Sequence, residues 1–459
     1  MQAATLESGS DLFWSATEAP AARRKTKLRG AFVLFVLLNA FLFIRPSDIL
    51  PVLEGAPIYQ FLIVACLLMA GKAVVAQLKV SDLRSRPISV CVIGLGIIIL
   101  FSQAANGLWE NIGTDGVEFI KVVLYYLLLV AVVNSPKRLR IFLYVLAFFI
   151  AVIATLTLLQ YHNYVDLVAL RPLQDLELQE DVAVKFARLR GPGVFYDPND
   201  FCHILAVGCL IAFHGITDKR LKLKRFAYLA MMGLMLYAIV LTQSRGGMLA
   251  LLAGLGVFAL ARFGVKKTAI VLVLMLPALF FATGRQFDIS TGDSTGQQRV
   301  QIWAEAFDMV RANPLLGGGE DQFKKSSGYV AHNSFLQCYA ELGFFGGTLF
   351  VGAWWLTMKE LNPLPGKGLR PWDPELADLR STISGIMAAY IVGMLTLSRC
   401  YVVPTYTILG IATVFMTMAV EGHNEPRGAH RRLFLKMAGA SLVVLILMDM
   451  FVRFAVRFS

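Results

Sequence analysis

Long apolar runs alternate with short polar segments along almost the whole chain. Most runs have roughly 15 to 25 residues, close to the length at which an α-helix crosses the hydrocarbon core of a membrane. Helices are expected because lipid offers no hydrogen-bond partner to the backbone. The pattern predicts an all-α, polytopic transmembrane bundle of about 12–13 spans, near residues 31–45, 57–78, 87–105, 117–134, 139–161, 200–217, 225–243, 246–263, 267–283, 334–358, 381–398, 403–420 and 434–452.

The composition excludes an ordinary soluble domain, because 57% of the residues are hydrophobic and only 16% are charged, against about a quarter charged in soluble proteins. The net charge of +12 does not indicate nucleic-acid binding, because most basic residues lie in alternate loops and therefore follow the positive-inside rule. A cytoplasmic N-terminus is predicted, with these basic loops on the cytoplasmic side: 79–86, 135–140, 218–225, 262–267, 359–380 and 421–436.

The same pattern divides the chain into four parts. Residues 1–29 form a basic cytoplasmic tail, and residues 30–283 form an N-terminal transmembrane bundle with an outer loop at 162–199. Residues 284–333 form a large outer loop, and residues 334–459 form a C-terminal transmembrane bundle. The sequence has no Walker loop, which disfavours ATP-driven transport, and its six cysteines include no CxxC pair.

Several arginines lie on the outer side, where the positive-inside rule disfavours them. Arg190 begins a Gly-Pro-Gly and Asp-Pro-Asn turn, and Asn199 or Asp200 can cap the helix that follows. The alternative is a capped helix start without a ligand. Arg245 lies between Ser244 and two glycines at the junction of two spans. Here the alternative is a side chain that snorkels to the interface.

The large outer loop adds a further arginine and a histidine. Residues 297–310 have apolar positions three and four apart, which predicts an amphipathic helix that ends at Asn313-Pro314 and carries Arg299 in its first turn. The alternative is a surface helix with a solvated arginine. His332 lies where the chain returns to the membrane, and Asn333 can cap the next span. The alternative for His332 is a purely structural role.

Together these residues indicate one class of chemistry. Guanidinium groups bind phosphate and diphosphate oxygens bidentately, and an imidazole is the natural base near neutral pH. No carboxylate cluster on this side indicates a magnesium or manganese site. We therefore expect no metal and no cofactor, with the arginines stabilising a diphosphate leaving group.

These motifs resemble the O-antigen ligase and Wzy-type polymerase superfamily of bacterial envelope glycan enzymes. The resemblance covers roughly residues 185 to 360 and depends on the order and spacing of five motifs. The matching segments are Arg190–Asn199 (RGPGVFYDPN), Thr242–Gly247 (TQSRGG), Arg299–Trp303 (RVQIW), Asn313–Gly319 (NPLLGGG) and His332–Gln337 (HNSFLQ), the last followed by Glu341-Leu-Gly343.

The resemblance implies an inverting, metal-independent glycosyltransferase of the bacterial inner (plasma) membrane with a periplasmic active site. His332 would be the catalytic base, and Arg190, Arg245 and Arg299 would bind the diphosphate of an undecaprenyl-diphosphate-linked glycan donor. Asn199, Ser244 and Asn333 would support the site. The acceptor would be a glycan or a lipid, so that polymerase and ligase both remain open for O-antigen or exopolysaccharide. Membrane lipid and other envelope assembly proteins are the expected partners.

Two other classes of protein fit part of the pattern. A transporter or flippase of a lipid-linked anion would explain the bundle and the arginines, but it predicts matched halves and charges deep in the spans. An assembly scaffold gives no reason for His332 beside several arginines.

Overall fold

The computed structural model describes residues 28–179, 182–270, 273, 295–362, 373–420 and 430–457, and within them the chain is a bundle of α-helices. We number the longer helices α1 Arg29–Phe43, α2 Ile58–Gln77, α3 Pro87–Ala105, α4 Val117–Val132, α5 Pro136–Tyr161, α6 Pro198–Thr217, α7 Arg225–Thr242, α8 Arg245–Phe263, α9 Thr295–Ala312, α10 Ser334–Leu361, α11 Pro374–Met394, α12 Val403–Val420 and α13 His430–Arg457.

The predicted all-α polytopic bundle is confirmed. Eight helical segments in the described part of the chain are long and apolar enough to cross a membrane. Four other predicted spans fall on α4, α10, α11 and α12, and the remaining one, 267–283, lies mostly outside the described residues. The eight segments are Arg29–Ile49, Ile58–Gln77, Pro87–Ala105, Pro136–Tyr161, Pro198–Thr217, Lys219–Thr242, Arg245–Phe263 and Leu433–Ala455.

The outer loop at 162–199 contains an element that the sequence did not predict. Its strands β1 (Leu173–Gln179) and β2 (Val182–Arg188) form an antiparallel hairpin in which Leu173 pairs with Arg188. The backbone of Leu189 then donates a hydrogen bond to the carbonyl of Leu241, 2.9 Å away, at the end of α7. The hairpin is thereby fixed to the bundle close to the start of α6.

The loops gather at two opposite ends of the bundle, which we name the His332 end and the Asp378 end. At the Asp378 end, the Asp378 carboxylate accepts hydrogen bonds from Arg220 (2.6 Å) and Arg262 (2.5 Å). Buried His214 and Asp218 complete a group with ligand atoms within 4.8 Å of one another. Because the arginines already occupy the carboxylates, we interpret this group as an ion-pair network that joins α6, α8 and α11.

Glycines allow a close contact between α8 and α11 in the bundle interior. A Cβ at Gly385 of α11 would lie 2.8 Å from the carbonyl oxygen of Gly254 in α8, and a Cβ at Gly254 would lie 3.0 Å from the carbonyl oxygen of Gly385. Small residues of this kind let two backbones approach within a membrane, where packing replaces the hydrophobic effect as the driving force.

We expect Gly385→Ala to destabilise the protein by about 1–3 kcal/mol, because the new methyl group must push α8 away from α11. The matched control is Gly233→Ala in α7, where a Cβ would meet nothing within 4 Å. That change should be neutral or stabilising by up to about 1 kcal/mol, since alanine favours helix over glycine. Thermal unfolding in detergent measures both; equal melting temperatures for the two variants would contradict this packing.

Candidate active site

His332 lies at the junction between the large outer loop and α10. Its φ of 49° places it in the left-handed region, which a residue other than glycine seldom adopts. The backbone N–H of His332 donates to the hydroxyl oxygen of Ser398, 2.9 Å away. Asn333 caps α10, since its side-chain oxygen accepts from the N–H groups of Phe335 and Leu336, each at 3.1 Å. The side chain of His332 is half-buried.

Helix α9 brings Arg299 to this junction. The indole N–H of Trp303, one turn further along, donates to the carbonyl of Ala331 at 2.7 Å, directly before His332. Ala306 and Phe307 on the same helix are buried in a cluster with residues of α10. The predicted amphipathic helix of residues 297–310 therefore exists, as Thr295–Ala312, and its apolar face docks on α10.

The guanidinium of Arg299 is half-buried, and no hydrogen bond or ion pair joins it to any residue in the described ranges. Burial lowers its pKa, while Asp197 raises and Arg188 lowers it. An arginine with this environment keeps its charge at neutral pH, because its ordinary pKa lies above 12. Arg299 is therefore a cation whose donors remain available for an anionic ligand.

The electrostatic environment keeps His332 neutral. Burial is the main cause that lowers the pKa of the imidazole, and the positive charge of Arg299 lowers it further, while Asp197 opposes both. A neutral imidazole can accept a proton, which is the requirement for a general base. Sequence reasoning missed Asp197 as a neighbour of His332; its only signal was the Asp-Pro-Asn turn.

The start of α6 differs from the prediction. Asp197, not Asn199 or Asp200, caps this helix, because its carboxylate accepts from the N–H of Asn199 at 2.7 Å. Pro198 follows as the first helical residue, where its missing N–H is no loss. Asn199 instead accepts a hydrogen bond from Arg188 at 3.1 Å, and Asp200 forms a buried ion pair with Arg399. The two expected caps thus hold neighbouring arginines.

Arg190 and Arg188 are both held by the protein. Arg190 is 7% exposed; its Nε donates to the carbonyl of Arg171 at 2.6 Å, and its guanidinium lies 3.6 Å from the ring centre of Tyr196. Arg188 donates to Asp175, to Asn199 and to the carbonyl of Thr242. Arg188 is therefore a structural cross-link, whereas Arg190 is a stacked cation whose plane Tyr196 fixes.

Arg245 is the first residue of α8 and is exposed. Ser244 caps this helix by accepting from the N–H of Gly247 at 3.2 Å. A Cβ at Gly246 would lie 2.4 Å from the hydroxyl oxygen of Thr396. The start of α8 therefore packs against the turn of residues 395–400, the same turn that contacts His332 through Ser398. Sequence reasoning missed Ser398, because no local pattern sets it apart from other serines at helix ends.

A glycine segment supports α10 behind His332. The helix breaks at Gly343 (φ 62°), and residues 314–319 lie along the break. Gly318 donates to the carbonyl of Ala340 at 3.0 Å, and Gly319 donates to that of Glu341 at 2.9 Å. The three glycines are packed tightly against α10, because a Cβ at Gly317 would lie 2.3 Å from the backbone of Glu341.

Two buried carboxyl groups flank this break. Glu341 is 0% exposed and receives a hydrogen bond from Gln337 at 3.1 Å, and Glu320 is 6% exposed. Burial raises the pKa of Glu320 to about 9, with a smaller contribution from the Glu341 carboxyl beside it. Glu320 therefore carries a proton at neutral pH. No sequence signal distinguished it from the surface carboxylates of the same loop.

A sequence model of the family described as O-antigen ligase matches residues 230–351. This segment belongs to the O-antigen ligase family. It includes Arg245, Arg299, His332 and the break at Gly343, whereas Arg190 lies before it. No curated protein matches the chain.

The O-antigen ligase segment thus contains three of the four candidate residues, and two neighbours of His332 come from outside it. Asp197 comes from before the segment, and Ser398 comes from after it. The family match lies within the region of the sequence resemblance and includes both Arg299 and His332.

We expect the pKa of His332 to rise in Arg299→Gln and to fall in Asp197→Asn, because the first change removes a repelling cation and the second removes an attracting anion. Asparagine also caps helices well, so that α6 should persist. Histidine titration by NMR in labelled protein measures both shifts. Arg311→Gln on the same helix is the control, since Arg311 pairs with Asp308 and Asp449; an equal response there would contradict the assignment.

The raised pKa of Glu320 predicts a stability change with a defined sign. The unfolded carboxyl ionises near pH 4.5 and the folded one near 9, so that wild type loses stability as the pH rises between these values. Glu320→Gln removes this loss and should raise the melting temperature by about 2–4 °C at pH 8, with little effect at pH 4.5. Surface residue Glu305→Gln is the control. If Glu320→Gln raised the melting temperature as much at pH 4.5 as at pH 8, the conclusion that Glu320 is protonated at neutral pH would be wrong.

Proposed function

We propose that this multi-pass membrane protein of the O-antigen ligase type is an inverting, metal-independent glycosyltransferase. The donor is a glycan on undecaprenyl diphosphate, and the acceptor is a hydroxyl group of a glycan or a lipid. His332 is the catalytic base, and Arg299, Arg190 and Arg245 bind the diphosphate. The family match supports the general activity, a membrane enzyme that handles lipid-linked glycans.

The observation that carries the proposal is a neutral imidazole next to an available guanidinium. His332 lies at a strained backbone position, and burial together with the charge of Arg299 on the docked helix α9 lowers the pKa of its imidazole. A purely structural arginine would be paired, as Arg188 and Arg311 are. A base and an anion-binding cation side by side are what transfer from a diphosphate donor to a hydroxyl requires.

The arginines have different parts in this scheme. Of the three arginines, Arg299 binds the diphosphate at the position nearest to His332. The reason is that its charge acts on the pKa of the His332 imidazole. Arg190 presents its guanidinium in a plane fixed by Tyr196, which reduces the entropy lost when it binds a phosphate group. Arg245 lies at the first turn of α8, where the helix dipole also favours an anion.

In the reaction, the imidazole of His332 takes the proton of the acceptor hydroxyl as its oxygen attacks the anomeric carbon of the donor. The new carbon–oxygen bond forms on the face opposite the diphosphate, and the bond to the diphosphate breaks, so the configuration inverts. The departing undecaprenyl diphosphate carries the electron pair, and the arginines stabilise its negative charge. The imidazolium then releases its proton to solvent.

The orientation follows from the basic loops. The Asp378 end faces the cytoplasm together with the N-terminus, and the His332 end faces the periplasm across the inner membrane. The lipid tail of the donor lies in the surrounding membrane. The product belongs to O-antigen or exopolysaccharide synthesis, and the acceptor decides between a polymerase and a ligase. Other envelope assembly proteins would supply the lipid-linked donor.

We expect purified protein to transfer glycan from an undecaprenyl-diphosphate donor to an acceptor in the presence of EDTA. His332→Ala should lose at least about 100-fold in rate because the base is gone, and Arg299→Ala should lose about 100- to 1,000-fold because the leaving-group charge is no longer stabilised. Product formation is measured by mass spectrometry with a panel of glycan and lipid acceptors.

Arg311→Ala is the matched control, because Arg311 lies on the same helix as Arg299 but pairs with Asp449 at 3.1 Å; its rate should equal that of wild type. If His332→Ala behaves like wild type while the lipid-linked glycan only crosses the bilayer, the protein is a transporter and the catalytic assignment is wrong. Loss of transfer on adding EDTA would contradict the metal-independent mechanism.

A further inference from the structure

We propose that the turn of residues 395–400, which we name the Ser398 turn, positions the catalytic base. Ser398 holds the backbone of His332, and the ion pair between Asp200 and Arg399 holds the turn itself. These three are positioning residues rather than catalytic ones, because they act through His332. The proposal rests on the function proposed above, in which His332 takes the proton from the acceptor.

The backbone of His332 needs such a device. A non-glycine residue with φ near 49° is in a sparsely populated conformation, and such conformations persist only where the surroundings fix them. The N–H of His332 donates to the Ser398 hydroxyl at 2.9 Å. This hydrogen bond acts on the residue that carries the imidazole, so it sets the direction in which the side chain leaves the backbone.

Two more hydrogen bonds join the same two stretches of chain. The hydroxyl of Ser334 donates to the carbonyl of Leu397 at 2.6 Å and accepts from the N–H of Arg399 at 2.8 Å. Ser334 is fully buried. The two serines therefore connect residues 332–334 to residues 397–399 through three hydrogen bonds, and rotation about any one of them is blocked by the others.

Contacts from two further helices, α6 and α12, hold the Ser398 turn in place. The guanidinium of Arg399 pairs with the carboxylate of Asp200 in the first turn of α6, and the two side chains are 20% and 7% exposed. From α12, the hydroxyl of Thr405 donates to the carbonyl of Arg399 at 2.6 Å, and that of Tyr406 donates to the carbonyl of Cys400 at 2.7 Å. The turn is thus a rigid support rather than a loose connection.

These contacts exceed what is required to begin α10. Asn333 alone caps the helix, with hydrogen bonds to the N–H groups of Phe335 and Leu336. The contact from Ser398 adds nothing to the cap, because it acts one residue earlier. What it adds is a fixed position for His332, at the point where α6 also brings Asp197, the carboxylate that raises the pKa of the imidazole.

The test is the kinetics of Ser398→Ala in the transfer assay. We expect kcat to fall about 10- to 100-fold, since a misplaced base loses rate on this scale, while KM changes less than about twofold because the diphosphate ligands remain. Ser398→Thr keeps the acceptor oxygen and should restore the rate to within about threefold of wild type. The matched control is Ser384→Ala, a buried serine of α11 whose hydroxyl contacts the carbonyl of Leu361.

If Ser398→Ala does not fold, Ser398→Cys replaces it, since the sulfur fills the site but accepts only weakly; its kcat should fall with KM unchanged. A double-mutant cycle combines Asp200→Ala with Arg399→Ala. The loss in kcat of the double variant should be clearly smaller than the product of the two single losses, because both changes disturb the same turn. Multiplicative losses, or equal losses in kcat for Ser398→Ala and Ser384→Ala, would overturn the proposal.

His332→Ala in the same assay distinguishes failure of the positioning proposal from failure of the proposed function. If His332→Ala is inactive while Ser398→Ala and Ser398→Cys have wild-type kcat, the positioning role is wrong and the catalytic role of His332 stands. If His332→Ala retains wild-type activity, the proposed function fails first, and the Ser398 turn is then only a structural contact.

Discussion

The break of α10 at Gly343 is the constraint on which the rest of the His332 end depends. A helix that stops inside an apolar bundle leaves carbonyl groups without intrahelical partners, and each must be satisfied. The N–H groups of Gly318 and Gly319 donate hydrogen bonds to the carbonyls of Ala340 and Glu341. The hydroxyl of Ser102 donates a second hydrogen bond to the carbonyl of Glu341, at 3.0 Å. The large outer loop is therefore attached to the bundle by backbone chemistry.

This attachment decides where the functional groups lie. Because residues 314–319 are held at the break, α9 must lie beside α10, and the Trp303 indole can reach the carbonyl before His332. Arg299 then lies one helical turn from that contact. The Asp200–Arg399 ion pair joins the start of α6 to the turn that holds the backbone of His332. The cation and the base thus come from one stretch of chain, whereas the neighbouring carboxylate of Asp197 lies more than 100 residues before both.

The sequence predicted elements well where a local rule decides them. Length and apolarity predicted the spans, three- and four-residue spacing predicted α9, and the cap at Asn333 is as expected. The prediction failed where side chains compete. Asn199 and Asp200 could cap α6, yet each binds a neighbouring arginine instead, because a buried arginine without a partner would cost more than a lost cap.

The sequence by itself determined the helical class and the placement of the basic loops, and it indicated His332, Arg190, Arg245 and Arg299 as candidate residues, since hydropathy and residue chemistry are local properties. Only the tertiary structure decided that Arg299 has no hydrogen-bond partner among the described residues, that Glu320 is protonated, and that Ser398 holds the backbone of His332. These properties depend on which distant groups share a low-dielectric interior, and no local pattern along the chain records that proximity.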